Sequence, residues 1–365
     1  MKRLRVLFIN TYDMNKVRGL YEQGLYPSHH LYGTLELSKN RDIDIITPDH
    51  VKHRFLNWIG NFFDIGFLDQ QIRAILLRNK YDILYAPYAA SNTKLLVVLK
   101  LLGLFRKPIV ILVHHPLFGQ PSTSRWKRFL VKTLIRQYDS IIFCSKKMRA
   151  DLTSAYDFDG HYTKKHFFSS HLGVDLHFYK KYVVKIAEKE TKFIMSAGNT
   201  ARDFDVLVRA CEKLDVTLKI YCSPQSFPKS PIPPHIQIYS GEFPFQQICK
   251  DYNAALFILI PLSDSPSGMF GMTSLLDALA MGKPVIMTRN GNIDIDVGEE
   301  NAGISLQDNS MEAWTNSISK LLDDIPTLEQ MSSNSARLAE KFDIKRFATC
   351  LESVIHTTHQ NKNKN

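Results

Sequence analysis

The stretch Ser267-Gly268-Met269-Phe270-Gly271-Met272-Thr273-Ser274-Leu275-Leu276-Asp277-Ala278-Leu279-Ala280-Met281-Gly282-Lys283-Pro284-Val285-Ile286 joins a glycine-bearing loop, a helical run and a buried apolar strand. Backbone N–H groups at such a helix start suit a phosphate, and glycine lets the backbone come close to it. Asp277 falls about one turn into the helix, where its carboxylate can accept hydrogen bonds from ribose hydroxyls. A plain glycine turn followed by a solvated Asp fits the same residues, and residue chemistry alone leaves both readings open.

Outward from this stretch, short runs rich in Val, Ile and Phe alternate with amphipathic segments, the pattern of parallel α/β units. The first half predicts strands at Arg5 to Asn10, Ile43 to Thr47, Ile83 to Ala86, Ile109 to Val113 and Ser140 to Cys144. Helices are predicted at Ser28 to Ser38 and at Asn92 to Leu102, the latter capped by Asn92. The rhythm restarts at Lys192, with strands at Phe193 to Ser196, Thr217 to Tyr221, Ile236 to Tyr239, Leu256 to Ile260 and Pro284 to Met287. Helical patterns at Phe204 to Leu214 and Thr273 to Met281 separate them. The fold class is therefore α/β: two Rossmann-like domains with parallel sheets facing a cleft, where ligands of open parallel sheets bind. The expected division is an N-terminal domain over 1–178, a C-terminal domain over 191–345, a helix over 346–359 packing back on the first domain, and an unordered tail over 360–365. Tyr179 to Tyr182 and Lys185 to Glu190 read as an exposed linker.

The 365 residues, 44% hydrophobic and 22% charged, suit two soluble cores. The five cysteines lack a C-x-x-C pair or zinc-type His spacing, so a reducing, cytoplasmic compartment is expected, without disulfides or a metal. The apolar run Val6 to Ile9 is too short for a signal peptide, and the window Leu95 to Val113 is broken by Lys100, Arg106, Lys107 and Pro108, so no transmembrane helix is expected. Residues 1–190 carry 30 Lys and Arg against 16 Asp and Glu, whereas 191–365 carry 16 against 20. A basic domain of this kind suggests an anionic partner, whether nucleic acid, an anionic membrane surface or a phosphorylated substrate, beside the plainer reading of a soluble surface.

The opening stretch resembles the donor-site segment of the retaining GT-B glycosyltransferases of group 1, or family 4, whose pattern runs E, G, F, G, then L-E-A-x-A-x-G-x-P-V-I. Leu276-Asp277-Ala278 and Gly282-Lys283-Pro284-Val285-Ile286 match its second part, with Asp277 in place of the glutamate that binds the donor ribose. In the first part the family's acidic residue aligns with Met269 or, if Phe270-Gly271 is taken as F-G, with Gly268; Asp264 or Ser267 is a candidate substitute. His171 to Phe178 is similar to the family's N-G-V-D-x-x-x-F. In Ser196 to Asp205, Arg202 takes the position of a diphosphate-binding lysine and Asn199 that of an arginine. Independently, a guanidinium suits a diphosphate leaving group because it binds two phosphate oxygens at once; an ion pair with Asp203 or Asp205 is the plainer alternative.

In the first half, His114 matches a strand-end histidine that lies against the donor sugar in that family, and His115 replaces a frequent Asp. Adjacent strand-end histidines in an arbitrary protein are more often structural. Asp139 to Ser145 looks like the family's A-D-x-I-I-x-x-S strand. His29 and His30 open the first long helix after a long loop, Thr11 to Pro27, read either as a flap over donor and acceptor or as simply irregular. Phe55 to Leu68 is unusually aromatic and flanked by Lys52, His53 and Arg54, so it reads as a self-packed stripe or as a surface approaching a membrane.

The resemblance thus implies a metal-independent, retaining sugar transfer from a nucleotide-sugar, chiefly a UDP-sugar, to a glycan or lipid-linked acceptor in cell-surface polysaccharide synthesis. No cofactor is expected. It implies His114 and Arg202 as catalytic groups, a donor site of Gly198, Asn199, Arg202, Gly268, Met269, Phe270, Gly271, Met272, Thr273 and Asp277, and His30 and His115 on the acceptor or loop side. The enzyme would be cytoplasmic, in peripheral contact with the inner face of an anionic cell membrane. The competing readings are a non-catalytic accessory protein of the same fold, and a nucleic-acid binder acting through its basic half, for which no binding motif is present. No G-x-G-x-x-G follows the first strand, which argues against a nicotinamide enzyme.

Overall fold

The computed structural model describes residues 3–88, 92–119, 122–184, 193–241, 243–263 and 267–364. It divides into two compact units, the first comprising Met1–Glu22, Ser28–Gly173 and Ile344–Asn365, the second Gln23–Pro27 and Val174–Asp343. The chain therefore changes unit at 173/174, short of the expected 178. Val174 donates its N–H to the Phe342 carbonyl at 2.7 Å and bridges Asp343 within the second unit. Gly173 packs within the first, where an added Cβ would stand 2.5 Å from Ile344 Cα.

The sheet of the first unit holds β1 (Arg5–Ile9), β2 (Asp42–Ile46), β3 (Ile83–Ala86), β4 (Ile109–Val113), β5 (Ser140–Phe143) and β6 (Phe167–Ser169), all parallel, in the order β2-β1-β3-β4-β5-β6. The central strands are buried along their length and, Ser140 apart, apolar, as strands covered on both faces must be. Strand order reverses between β1 and β3, which opens a crevice at their carboxyl ends. Strand β6 was not predicted: it is a three-residue edge strand with only Phe167 buried, too short to show a period.

Four further expectations for this unit are corrected. The stretch Thr11 to Pro27 is not one loop, because Asp13 caps a helix at Met14–Glu22 by accepting the N–H groups of Asn15 and Lys16, each at 3.1 Å. His29 and His30 lie in a 3-10 turn, Ser28–Leu31, rather than a long helix, since Tyr32 and Gly33 take φ of 52° and 78° before a short helix at Thr34–Ser38. Asn92 is not a cap but a buried amide, its Nδ2 3.5 Å from Gln70 Oε1, and the helix runs Lys94–Leu101. The C-terminal helix spans Ile344–Lys364, so the tail expected to be unordered continues it through Lys364. This helix belongs to the first unit, where Ser140 and Thr358 share a buried hydroxyl contact at 2.6 Å.

The second unit has β7 (Phe193–Ala197), β8 (Thr217–Cys222), β9 (Ile236–Ser240), β10 (Ile258–Ile260), β11 (Val285–Thr288) and β12 (Gly303–Leu306), again parallel, in the order β12-β11-β10-β7-β8-β9. Its reversal falls between β7 and β10. Strand β12 was missed because two of its four residues are half-buried and a glycine opens it. Trp314 is fully enclosed on one face, its indole N–H donating to Asn309 Oδ1 at 2.8 Å. The expected linker begins instead as a helix, Leu176–Lys180, capped by Asp175, and Tyr179 is fully buried. Lys185 to Glu190 lie outside the described residues. Among the described residues no helix is long and apolar enough to cross a membrane.

Candidate functional site

In the second unit the loops that leave β7 and β10 are stitched across the strand-order reversal. Asp203 N–H donates to the Pro261 carbonyl at 3.0 Å and Ser263 N–H to that of Ala201 at 3.1 Å, with Arg202 and Leu262 forming a bridge between them. Arg202 folds back over Gly198, where a Cβ would stand 2.6 Å from Nε, so only glycine, here at φ 155°, leaves room for the guanidinium. Nη1 donates to the Thr200 carbonyl at 2.9 Å and Nη2 to Ser274 Oγ at 3.0 Å, while Ser274 Oγ donates to the Ala197 carbonyl at 3.0 Å. Nε is buried with no hydrogen-bond partner among the described residues. Burial lowers the Arg202 pKa to about 10, so the group remains a cation at neutral pH.

The ion-pair alternative for Arg202 is not realised. Asp203 caps the Phe204–Cys211 helix through the Val206 N–H at 3.1 Å and accepts from Asn309 at 2.9 Å, and Asp205 accepts from the N–H groups of Lys229 and Ser230. Among the described residues no carboxylate pairs with Arg202. A partly buried cation without a carboxylate partner among the described residues, at the carboxyl end of a parallel sheet, gives the local field a positive sign.

The quoted stretch forms the other wall of this site. Gly271, at φ 91°, turns the chain into the Met272–Ala280 helix, whose first-turn N–H groups have no intrahelical acceptor. The loop before it is pinned by buried Asn290, whose Nδ2 donates to the carbonyls of Gly268 at 2.9 Å and Phe270 at 3.0 Å. Met269 and Met272 point into the core, so they offer a ligand backbone only, while Thr273 is exposed. No acidic side chain stands between Ser267 and Thr273; Ser267 is exposed and Asp264 lies outside the described residues.

Asp277 is buried, and the Tyr179 hydroxyl donates to its Oδ1 at 2.5 Å. Burial raises its carboxyl to about 7, partly offset by the Tyr179 hydrogen bond. Buried Tyr252 is close enough to feel the charges of Asp277 and Arg202 and shares a hydrogen bond with Ser274. Gly198, Arg202, Ser274, Asp277, Tyr179 and Tyr252 are thus brought together, and exposed Asn199 adjoins them at the loop tip.

In the first unit, His114 follows β4 and sits in an aromatic nest. Its ring meets Tyr88 edge-on with centroids 4.5 Å apart and lies 4.5 Å from His115 and 6.3 Å from Tyr32. Tyr12, just past β1, stands 5.4 Å from Tyr88, just past β3. Tyr12 and Tyr88 therefore flank the crevice where strand order reverses. The Tyr32 hydroxyl donates to the Tyr88 hydroxyl at 2.9 Å and the Tyr85 hydroxyl to the Tyr32 carbonyl at 3.2 Å, which holds Tyr32 in its left-handed conformation. His114 is buried, and both ring nitrogens lack a hydrogen-bond partner among the described residues. Burial, assisted by His115, lowers its pKa to about 3, so the ring is neutral at physiological pH, with one N–H to donate and one lone pair to accept. Burial likewise lowers His115, and lowers His30 to about 4; His30 lies beside His29 with rings 4.3 Å apart.

The model for Glycosyltransferase Family 4 matches residues 28–164, and that for Glycosyl transferases group 1 matches 247–338. The chain belongs to the group 1 glycosyltransferases of GT-B fold. A D-inositol 3-phosphate glycosyltransferase of Corynebacterium glutamicum (strain R) is 29% identical to this group 1 chain over 33% of it and 28% of the relative. One from Corynebacterium diphtheriae is 30% identical over 30% of this chain and 25% of the relative. The chain thus matches about a quarter of the length of these curated relatives. The structure of Anabaena HepE in complex with UDP and glucose superposes with a TM-score of 0.65 at 14% identity, covering 97% of this chain and all of that one. At that identity the likeness is one of fold.

Three residues of this group 1 site escaped sequence reading. Tyr179 was taken for linker, although Asp175, three residues before the buried Phe178, is a capping signal that places it on a helix. Asn290 follows β11 as an isolated polar residue, and Tyr252 sits on a helix with no motif of its own. Asp296, in the loop after β11, accepts from Ser305 Oγ and the Gly298 N–H, a role in its own loop.

Proposed function

We propose that the chain transfers a sugar from a nucleoside diphosphate sugar to a hydroxyl of a glycan or lipid-linked acceptor, without a metal and with retention at the anomeric carbon. The observation that carries this reading is Arg202, a cation without a carboxylate partner whose buried Nε adjoins a helix N-terminus at the β7/β10 reversal. As the bond from the anomeric carbon to the diphosphate breaks and a bond to the acceptor oxygen forms, negative charge grows on the leaving phosphate. A guanidinium and first-turn N–H groups stabilise that charge where it develops. Asp277, steadied by Tyr179, accepts hydrogen bonds from the nucleotide's ribose. His114, being neutral, orients a sugar hydroxyl instead of adding charge.

UDP is the preferred nucleotide, in keeping with the UDP complex of Anabaena HepE. The curated relatives are named for an inositol 3-phosphate acceptor, and the basic first half suits an acceptor that carries phosphate. A role in cell-surface polysaccharide synthesis at the inner face of the cell membrane completes the reading. A second reading, a nucleotide-binding but non-catalytic member of the fold, is favoured by the missing carboxylate between Ser267 and Thr273. A thermal-shift screen against UDP, GDP, ADP and their sugars tests the first reading, because a ligand bound only by the folded state raises Tm by mass action. Stabilisation by one nucleotide family together with sugar release supports transfer, stabilisation without turnover supports the second reading, and no shift with any nucleotide removes both.

A further inference from the structure

Ser274 stands in the first turn of the Met272–Ala280 helix, three residues before Asp277 and on the same helix face. A serine inside a helix ordinarily returns its hydroxyl to a carbonyl three or four residues back. Here the carbonyl four residues back, that of Phe270, is engaged by Asn290 at 3.0 Å. Ser274 Oγ reaches out of the helix instead. It donates to the Ala197 carbonyl at 3.0 Å, 77 residues away, and accepts from Arg202 Nη2 at 3.0 Å, 72 residues away. Buried Tyr252 shares a hydrogen bond with the same hydroxyl. A hydroxyl has a single proton and two lone pairs. With the proton on Ala197, the lone pairs face Arg202 and Tyr252, so Ser274 serves the guanidinium only as an acceptor.

This bond fixes which edge of Arg202 stays open. Nη1 is held by the Thr200 carbonyl at 2.9 Å, but Thr200 belongs to the same loop, so that bond travels with the side chain. Ser274, on a packed helix, is an anchor outside the loop. An added Cβ at Gly198 would meet Nε at 2.6 Å and Nη2 at 2.8 Å, so the Nε–Nη2 edge faces the space that the glycine leaves. Nε is buried and has no hydrogen-bond partner among the described residues. An N–H removed from water costs free energy until it meets an acceptor. Ala201, just before Arg202, takes a φ of 52°, uncommon for a residue with a Cβ, and the bridge between Arg202 and Leu262 fixes the loop in that turn. A free arginine side chain gives up rotamer freedom when it grips an anion, whereas one already fixed gives up little.

We propose that Ser274 is a positioning residue for sugar transfer: its hydroxyl, locked by Ala197 and Tyr252, holds the Arg202 guanidinium with the Nε edge open to the leaving diphosphate. The proposal rests on the reading of Arg202 as the diphosphate cation and adds what makes that cation effective. No bond to substrate is assigned to Ser274, so its influence passes through Arg202. A serine suits the task because it accepts a hydrogen bond without adding charge. A carboxylate at this place would pair with the guanidinium and cancel the field that a phosphate needs.

Ser274→Thr and Ser274→Val differ by a hydroxyl against a methyl of similar size, and so separate the hydrogen bond from packing. In calorimetric titrations of the full chain, Ser274→Thr should keep the wild-type preference for UDP over uridine within about twofold, whereas Ser274→Val and Ser274→Ala should lose about fivefold of it with uridine binding unchanged. In transfer assays Ser274→Val should lower kcat by about tenfold and change KM less, because a misplaced donor is felt most where charge develops. Ser274→Val in the Arg202→Ala background should cost no more of the UDP preference than Arg202→Ala alone. An equal further loss in that background would show that Ser274 acts on the ligand itself and would overturn the positioning role. So would a Thr variant as impaired as the Val variant, or a Val variant indistinguishable from wild type. If Ser274→Val does not fold, Ser274→Ala, which adds no branched carbon to the helix, carries the same comparison. A wild-type chain without preference for UDP would remove the reading of Arg202 and this proposal together. A wild type that prefers UDP through Arg202, with indifferent Ser274 variants, would remove the positioning role alone.

Discussion

The two strand-order reversals of this molecule have the same topological origin and opposite chemistry. At the β7/β10 reversal of the second unit, the exposed chemistry is a cation, a glycine and the start of a helix, with a buried carboxyl one turn further on. At the β1/β3 reversal of the first unit, Tyr12 and Tyr88 flank the crevice and a neutral histidine stands next to them just past β4. A parallel sheet supplies the crevice in both cases, and side chains decide what can occupy it. The charged reversal suits a diphosphate; the aromatic one suits the faces and hydroxyls of an uncharged sugar.

The contrast can be broken most forcefully at Arg202. Arg202→Ala should lower kcat by about a hundredfold to a thousandfold, the usual consequence of removing a donor aimed at developing charge, with an unchanged circular-dichroism spectrum and Tm. Gly198→Ala should come close behind, by roughly tenfold to a hundredfold, because the added Cβ displaces the guanidinium it now supports. Recovery of activity in the alanine variant without movement of Arg202 would show that the glycine serves only the turn.

A smaller effect separates the two reversals by pH. The Asp277 carboxyl, raised to about 7 by burial, is protonated below that value, so nucleotide affinity should fall as pH drops through about 7. Tyr179→Phe removes a donor that favours the ionised form, so the midpoint of this loss should move to higher pH. Stability should run the other way. The folded carboxyl holds its proton up to about 7 whereas the unfolded one releases it near the ordinary value of 3.8, so the contribution of Asp277 to stability declines as pH rises between the two. His114, with a pKa lowered to about 3, contributes no titration in the neutral range, and a His114→Gln variant should weaken transfer without altering the pH profile. The smallest effect is expected at Asn290→Ala, which frees the Gly268 and Phe270 carbonyls and should cost about 1–3 kcal/mol of stability with a modest rise in KM.

Sequence reading located the fold and the charged reversal better than the aromatic one. Ten strands were visible, most because buried parallel strands are apolar runs and β2 and β9 because their polar and apolar residues alternate; β6 and β12 escaped because one is three residues long and the other begins with glycine and is half-buried. Gly198, Arg202 and Asp277 were legible because a spacing motif carries them. Tyr179 was not, since it belongs to the site only through a contact spanning 98 residues, and the lysines around it suggested solvent. Tyr12, Tyr32 and Tyr88 come from three separate loops and form a nest only once the sheet order is known. The gap at Ser267 to Thr273 remains a departure from the family pattern, and Asn290, which orders that loop, does not replace a carboxylate.

The central claim, that a diphosphate binds at Arg202, is tested most directly by calorimetric titration of UDP and of uridine into the wild-type chain and into Arg202→Ala. The wild type should prefer UDP strongly, and Arg202→Ala should lose about tenfold or more of that preference while binding uridine unchanged, as expected for a charge-assisted hydrogen bond to phosphate. An undiminished preference for UDP in Arg202→Ala would place the diphosphate elsewhere and contradict the assignment.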